Sequence, residues 1–126
     1  MKEVEEWEIF ATDEVREWAD GLDHVTYDLV ARAIDRLAAA GPGLGRPLVD
    51  RIEGSRIHNL KELRPGSAGR SEIRVLFVFD PWRSAILLVA GDKSGDWKRW
   101  YSGAVQRAEE LYELYPKERA IEEEGA

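Results

Sequence analysis

Between positions 58 and 101 the chain carries, in order, His58, Lys61, Glu62, Arg64, Arg74, Lys93 and Tyr101. Cutting a phosphodiester of RNA without a metal needs three kinds of group. A base must take the proton of the 2′-hydroxyl, cations must neutralise the phosphorane, and an acid must protonate the departing 5′-oxygen. The set holds all three. Arg64 and Arg74 suit the phosphate, because a planar guanidinium offers paired donors and keeps its charge. Read this way, Arg74 is a surface group serving the phosphate. The base stays open: lysine and tyrosine titrate near ~10 when unperturbed, so only about one molecule in a thousand is basic at pH 7. Glu62 ionises readily but is a weak base, and His58 matches neutral pH best.

Each residue also has a plainer reading. Arg64 and Arg74 could be ion-pair partners on an exposed sheet face, and Lys93 before a turn could be a solvated cation. Tyr101 lies in an apolar helical stripe, where a tyrosine is more often core. Trp97 and Trp100 could stack on bases, although two tryptophans on a packing helix more often belong to the interior.

Other chemistries lack their residues. Gly41, Gly43 and Gly45 have neither the strand before them nor the helix start after them that a dinucleotide site needs, and no Walker lysine follows. His24 and His58 have no acid at ligand spacing, so no metal is expected, and no cofactor. No Ser/His/Asp arrangement is visible. The chain has no cysteine, which fits a reducing compartment. Its longest apolar run, Ala85 to Gly91, is too short to span a bilayer, and a cytoplasmic location without membrane contact is expected.

The formal net charge of −7, taken as a total, argues against a polyanion partner. Its distribution points the other way. Pro42 to Arg107 hold 12 Lys/Arg against 7 Asp/Glu, and the flanks hold 6 against 18. The positive charge is concentrated where the candidate residues lie.

The elements that must position these residues follow from spacing. A strand within Glu5 to Ala11 leads to Thr12-Asp13-Glu14, which is helix-capping chemistry. Val15, Trp18, Ala19 and Leu22, then Tyr27, Val30, Ile34, Leu37 and Ala38, give an antiparallel helix pair. Glycine and proline at 41 to 47 end it. Short strands follow at Val49 to Ile52, Ile57 to Arg64, Glu72 to Phe79 and Ser84 to Lys93, an antiparallel meander whose last strand, apolar on both faces, belongs in a central position. In the second strand Glu62 and Arg64 share one face and Lys61 and Leu63 the other, which favours Glu62 and Arg64 for a cleft. A final helix starts near Trp97 and is expected to stop at Pro116. The fold class is α+β, with one domain over 1–116 and an acidic flexible tail over 117–126.

Asn59-Leu60-Lys61-Glu62-Leu63-Arg64-Pro65-Gly66-Ser67, Glu72-Ile73-Arg74-Val75-Leu76-Phe77, Gly91-Asp92-Lys93-Ser94 and Trp97-x-x-Trp100-Tyr101, in this order and spacing, resemble the phage-derived HigB-like branch of the RelE/ParE toxin superfamily. The resemblance covers nearly the whole chain. It implies a RelE-like fold, a two-helix cover over an antiparallel sheet. It also implies metal-independent cleavage of mRNA, on the ribosome, by the toxin of a type II toxin–antitoxin system that a helix-turn-helix, HigA-like antitoxin blocks. The resemblance favours Arg64, Arg74, Lys93 and Tyr101 as catalytic. Glu62 joins them as a further catalytic candidate, and Lys61, His58, Trp100, Lys98 and Arg99 are candidate RNA contacts. Glu62 stands where the family pattern has a cleft lysine. Two other functions share the scaffold, a ParE-like toxin that binds gyrase and a non-catalytic phage or regulatory module.

Overall fold

The computed structural model describes residues 6–125, with side chains as far as Tyr115. Strand β1 (Glu8–Ala11) leads into helices α1 (Asp13–Asp20) and α2 (His24–Ala40). A short 3₁₀ turn (Gly41–Gly43) then precedes strands β2 (Val49–Arg51), β3 (Lys61–Leu63), β4 (Ile73–Phe79) and β5 (Ser84–Asp92), and helix α3 (Trp97–Gly125) closes the fold.

Thr12 caps α1, its hydroxyl oxygen accepting from the Val15 N–H at 3.3 Å while its own proton goes to the Leu88 carbonyl on β5 at 2.8 Å. Asp23 caps α2 in the same manner, accepting from the Thr26 N–H at 3.2 Å. The two caps satisfy otherwise orphaned N–H groups. They split the helical stripe into two helices separated by Gly21, Leu22 and Asp23. Gly41 ends α2 at φ 58°, where a Cβ would run into the Trp7 indole.

The sheet order is β1-β5-β4-β3-β2. The expected meander β2–β5 is antiparallel throughout, and β5 takes the expected interior place between β1 and β4. The expectation of a purely antiparallel sheet needs one correction, since β1 joins β5 in parallel, Glu8 opposite Ser84 and Ala11 opposite Leu87. The chain can run β1 beside β5 in the same direction because the whole helix pair and meander lie between them.

Two apolar clusters form, one on each sheet face. Val15, Ala33 and Leu37 of the helix pair pack with Leu63, Val75, Phe77, Ala85 and Leu87. Ala104 and Ala108 of α3 pack with Leu60, Leu76, Val78, Ile86 and Leu88. Burying each of these large side chains contributes ~1.5–3 kcal/mol. The sheet is thus the middle of three layers.

A bulge sets what faces α3. Leu76 pairs with Val89 and Phe77 with Leu87, so Leu88 is an extra residue in β5. Leu88 and Val89 both pack on the α3 side and Ala90 turns to the helix pair. Gly91, opposite Arg74, therefore returns to the α3 face.

Two element boundaries differ from expectation. The strand expected over Ile57 to Arg64 shrinks to Lys61–Leu63. Asn59 takes φ 69° and the Leu60 N–H reaches back to the Ile57 carbonyl, so 57–60 is a turn. Ile57 and Leu60 both face α3, where strand alternation would have placed them on opposite sides. The final helix does not stop at Pro116 but continues to Gly125. Proline forfeits one backbone hydrogen bond there, and its fixed φ is compatible with a helix. The flexibility expected of the acidic tail lies outside the residues whose side chains are described.

A phenol, a buried carboxylate and two guanidiniums

The β2–β3–β4 register builds the site. Asp50 stands opposite Glu62, and Glu62 opposite Leu76, which puts all three on the face covered by α3. Arg74 lies two residues before Leu76, on the same face. Lys61 stands opposite Phe77, a member of the other cluster, so alternation divides Lys61 from Glu62 as the sequence implies.

Glu62 is 2% exposed. Its Oε2 accepts from the Tyr101 hydroxyl at 2.5 Å. Its Oε1 accepts from Arg64 Nε at 2.9 Å and lies 2.8 Å from Arg64 Nη2. The same Nη2 is 3.1 Å from Asp50 Oδ2. Arg74 Nε lies 4.0 Å from Glu62 Oε1 and is buried without a hydrogen-bond partner among the described residues, and Arg74 Nη1 donates to the Ile73 carbonyl at 2.8 Å. A buried charge is tolerated only when it is paired, and the two arginines supply that pairing.

The Tyr101 hydroxyl is pushed up to about 12, by burial first and then by the hydrogen bond to Glu62 and its negative charge, with Arg74 pulling the other way. A phenol so shifted is fully protonated at neutral pH. Burial disfavours the Arg64 charge, yet Glu62 and Asp50 outweigh it and hold its pKa above the ordinary arginine value. Asp50 is lowered, mainly by the Arg51 N–H that its side chain accepts, with Arg46 and Arg64 adding to the effect.

Helix α3 brings Tyr101 to this carboxylate. Asp96 opens the helix, its side chain accepting from the Arg99 N–H at 3.2 Å and its carbonyl from the Trp100 N–H at 3.0 Å. Ala104 and Ala108 keep the helix close to the sheet. A Cβ on Gly91 would lie 2.6 Å from Trp100 Nε1, so only glycine lets the Trp100 indole settle there. Tyr101 then has both indoles edge-on, Trp100 at 5.1 Å and Trp97 at 6.5 Å between centroids.

Of the ten residues picked out from sequence, Glu62, Arg64, Arg74 and Tyr101 come together, with Trp100 beside them. Lys93 does not join them through any ion pair among the described residues. Its backbone extends the β4–β5 ladder to Glu72 and its ammonium is held by the Glu72 carboxylate at 3.1 Å. His58, on the turn before β3, and Lys98 and Arg99, at the start of α3, are exposed, and Lys61 is half-buried. Lys98 lies 5.5 Å from the centre of the Trp97 ring. Arg74 is not a surface group, its side chain being 16% exposed, because α3 covers its face. Sequence reasoning missed Asp50, which only the β2–β3 register reveals. Among the described residues no three His, Cys, Asp or Glu are grouped to hold a metal ion, and no helix is long and apolar enough to cross a membrane.

Known proteins match both the sequence and the fold. The family described as "Phage derived protein Gp49-like (DUF891)" matches residues 17–113. Over 100 residues the chain is 53% identical to "Putative toxin HigB2" and 50% identical to "Putative toxin HigB3", both of Mycobacterium tuberculosis, with 79% of this chain covered each time. The chain spans 50% of the length of the first relative and 85% of the second. Among solved structures, a mutant of the E. coli toxin RelE in the free state superposes with a TM-score of 0.58 over 81% of this chain and 97% of that one, at 11% identity. The match over residues 17–113 shows that the chain belongs to the phage-derived Gp49-like family, with the two HigB proteins as sequence relatives and a RelE-like fold.

Proposed function

We propose that this protein is the toxin of a type II toxin–antitoxin pair and cleaves mRNA in the cytoplasm, on the ribosome, using the 2′-hydroxyl of the RNA as nucleophile. The observation that carries the reading is the bond from the Tyr101 hydroxyl to Glu62, flanked by Arg64 and Arg74. Because the phenol proton already points at Glu62, the phenol oxygen offers a lone pair to an incoming donor. The 2′-hydroxyl gives its proton to that oxygen as the phenol proton passes to Glu62 Oε2. The 2′-oxygen then bonds to phosphorus, the bond to the 5′-oxygen breaks and a water protonates the departing oxygen, the hydroxide so formed taking up the proton held on Glu62 and restoring the carboxylate. The products are a 2′,3′-cyclic phosphate and a 5′-hydroxyl.

Tyr101 thus transfers protons without ever becoming a free phenolate, which its raised pKa forbids at neutral pH. Arg64 and Arg74 stabilise the phosphorane, and no step calls for a metal. The buried Arg74 Nε, without an acceptor among the described residues, supports the reading, since such an atom costs ~1–3 kcal/mol and stability alone would not select it. Lys93, Lys61, His58, Lys98, Arg99 and Trp100 are assigned to contacts with the RNA beyond the cut. A helix-turn-helix antitoxin is the proposed inhibitor. Sequencing RNA 5′ ends after induced expression tests the proposal. Discrete new ends within coding regions are expected, and inhibited growth without such ends would overturn it.

A further inference from the structure

A second basic feature lies beside the site, at the outer edge of the sheet. Arg36 of α2, Arg46 of the loop before β2, and Arg64 line a cavity of about 220 Å³, together with Leu44, Gly45 and Leu48. Leu44 and Leu48 are partly buried against the helix-pair cluster and form an apolar floor, and the position beside Gly45 is open where a side chain would stand. Asp50 joins this cavity to the site. One of its oxygens takes Arg46 Nε at 3.2 Å and the other takes Arg64 Nη2 at 3.1 Å. A chain of contacts with alternating charge therefore runs from Arg46 through Asp50 and Arg64 to Glu62 and Tyr101. Arg46 is 79% exposed, and Arg36 makes no ion pair among the described residues. Three guanidiniums here face two carboxylates, so a positive charge is left over.

We infer that Arg36 and Arg46 form, with Arg64, a subsite for the phosphate next to the one that is cut, so that the RNA strand passes over the β2 edge. The inference rests on the ribonuclease reading and extends it to a surface that the reaction itself does not use. Arg64 is the shared wall, touching the scissile phosphate on one side and its neighbour on the other. The guanidiniums hold the phosphate by charge and paired donors, and the leucine floor takes the ribose.

The test compares a dinucleoside monophosphate, which has a single phosphate, with a single-stranded octanucleotide, both fluorescently labelled, binding to the full chain. Replacing both residues (Arg36→Ala with Arg46→Ala) is expected to weaken octanucleotide binding by about tenfold at low salt, and to reduce the slope of log Kd against log salt by about 0.7, the value for one phosphate of a single strand. Dinucleotide binding should stay unchanged. Arg36→Ala alone, at an exposed position on α2, gives a smaller loss in the same direction and stands in if the double variant fails to fold, and Arg36→Lys should restore most of the salt slope. Octanucleotide affinity and slope that match the wild type in these variants overturn the subsite, as does a wild-type chain that binds the octanucleotide no better than the dinucleotide. Neither result touches the ribonuclease reading, which the mapped RNA ends decide separately.

Discussion

At the scale of single residues Tyr101 is the group on which the proposed chemistry depends. Its pKa of about 12 in the folded chain stands above the ~10 of an unfolded one, so its contribution to stability is complete below about pH 10 and disappears as pH rises through the folded value. The wild type should therefore lose stability between about pH 10 and 12 more steeply than Tyr101→Phe, which has no proton to lose. Parallel curves in an alkaline denaturation series would show that the phenol is not shifted. Tyr101→Phe keeps the ring between Trp97 and Trp100 and removes one hydrogen bond, so it should cost ~1 kcal/mol of stability while cleavage falls about 10²–10⁴-fold. Glu62→Gln keeps the shape but leaves Arg64 and Arg74 with less negative charge to meet. It should destabilise by ~1–3 kcal/mol, less than a fully buried pair because Arg64 is partly exposed, and denaturant midpoints measure it. Full cleavage by Glu62→Gln would remove the acid from the proton path.

At the scale of elements, the site depends on how α3 is held against β3, β4 and β5. Among the described residues two phenol–carboxylate bonds hold it, Tyr101 to Glu62 in its first turns and Tyr115 to Asp80 at 2.7 Å, about four turns on. Asp80 also accepts from the N–H groups of Trp82 and Ser84, so the β4–β5 turn is the second anchor. Gly91→Ala should push the Trp100 indole away from the sheet, at ~1–3 kcal/mol, and reduce cleavage by displacing Tyr101. Wild-type cleavage by this variant would mean that Trp100 does not set the position of the tyrosine. Much at this scale was legible in the sequence. Hydrophobic spacing located the helices and the strands β4 and β5, and parity placed Glu62 and Arg64 on the face opposite Lys61. Two things were not. The turn at 57–60 rests on a left-handed Asn59, which has no hydrophobic signature. The parallel β1–β5 pairing, the Leu88 bulge and the Asp50–Glu62 juxtaposition are matters of register, which a single sequence does not record. Arg74 illustrates the gap, since a polar residue in an alternating strand reads as exposed until a helix is known to cover that face.

At the scale of the whole molecule the question is how a chain of net charge −7 handles a polyanion. The acidic residues are concentrated in the flanks, and the arginines of the site and its outer edge stand together on the β2–β3 side of the sheet. Cleavage should weaken as salt rises, because counterions compete for those arginines. Within the site Glu62 and Asp50 both pair with Arg64, and on the proposed reading an RNA phosphate competes with them for that guanidinium. The sequence marked the acid in place of a cleft lysine, and the structure shows it as the acceptor on which both Tyr101 and Arg64 converge. The most direct measurement of the central claim is the chemistry of the 3′ end left on RNA cut by the purified protein on translating ribosomes, wild type beside Tyr101→Phe. A 2′,3′-cyclic phosphate, or the 3′-phosphate derived from it, made by the wild type and lost in the variant is the predicted result. A 3′-hydroxyl, or wild-type cutting by Tyr101→Phe, would contradict it.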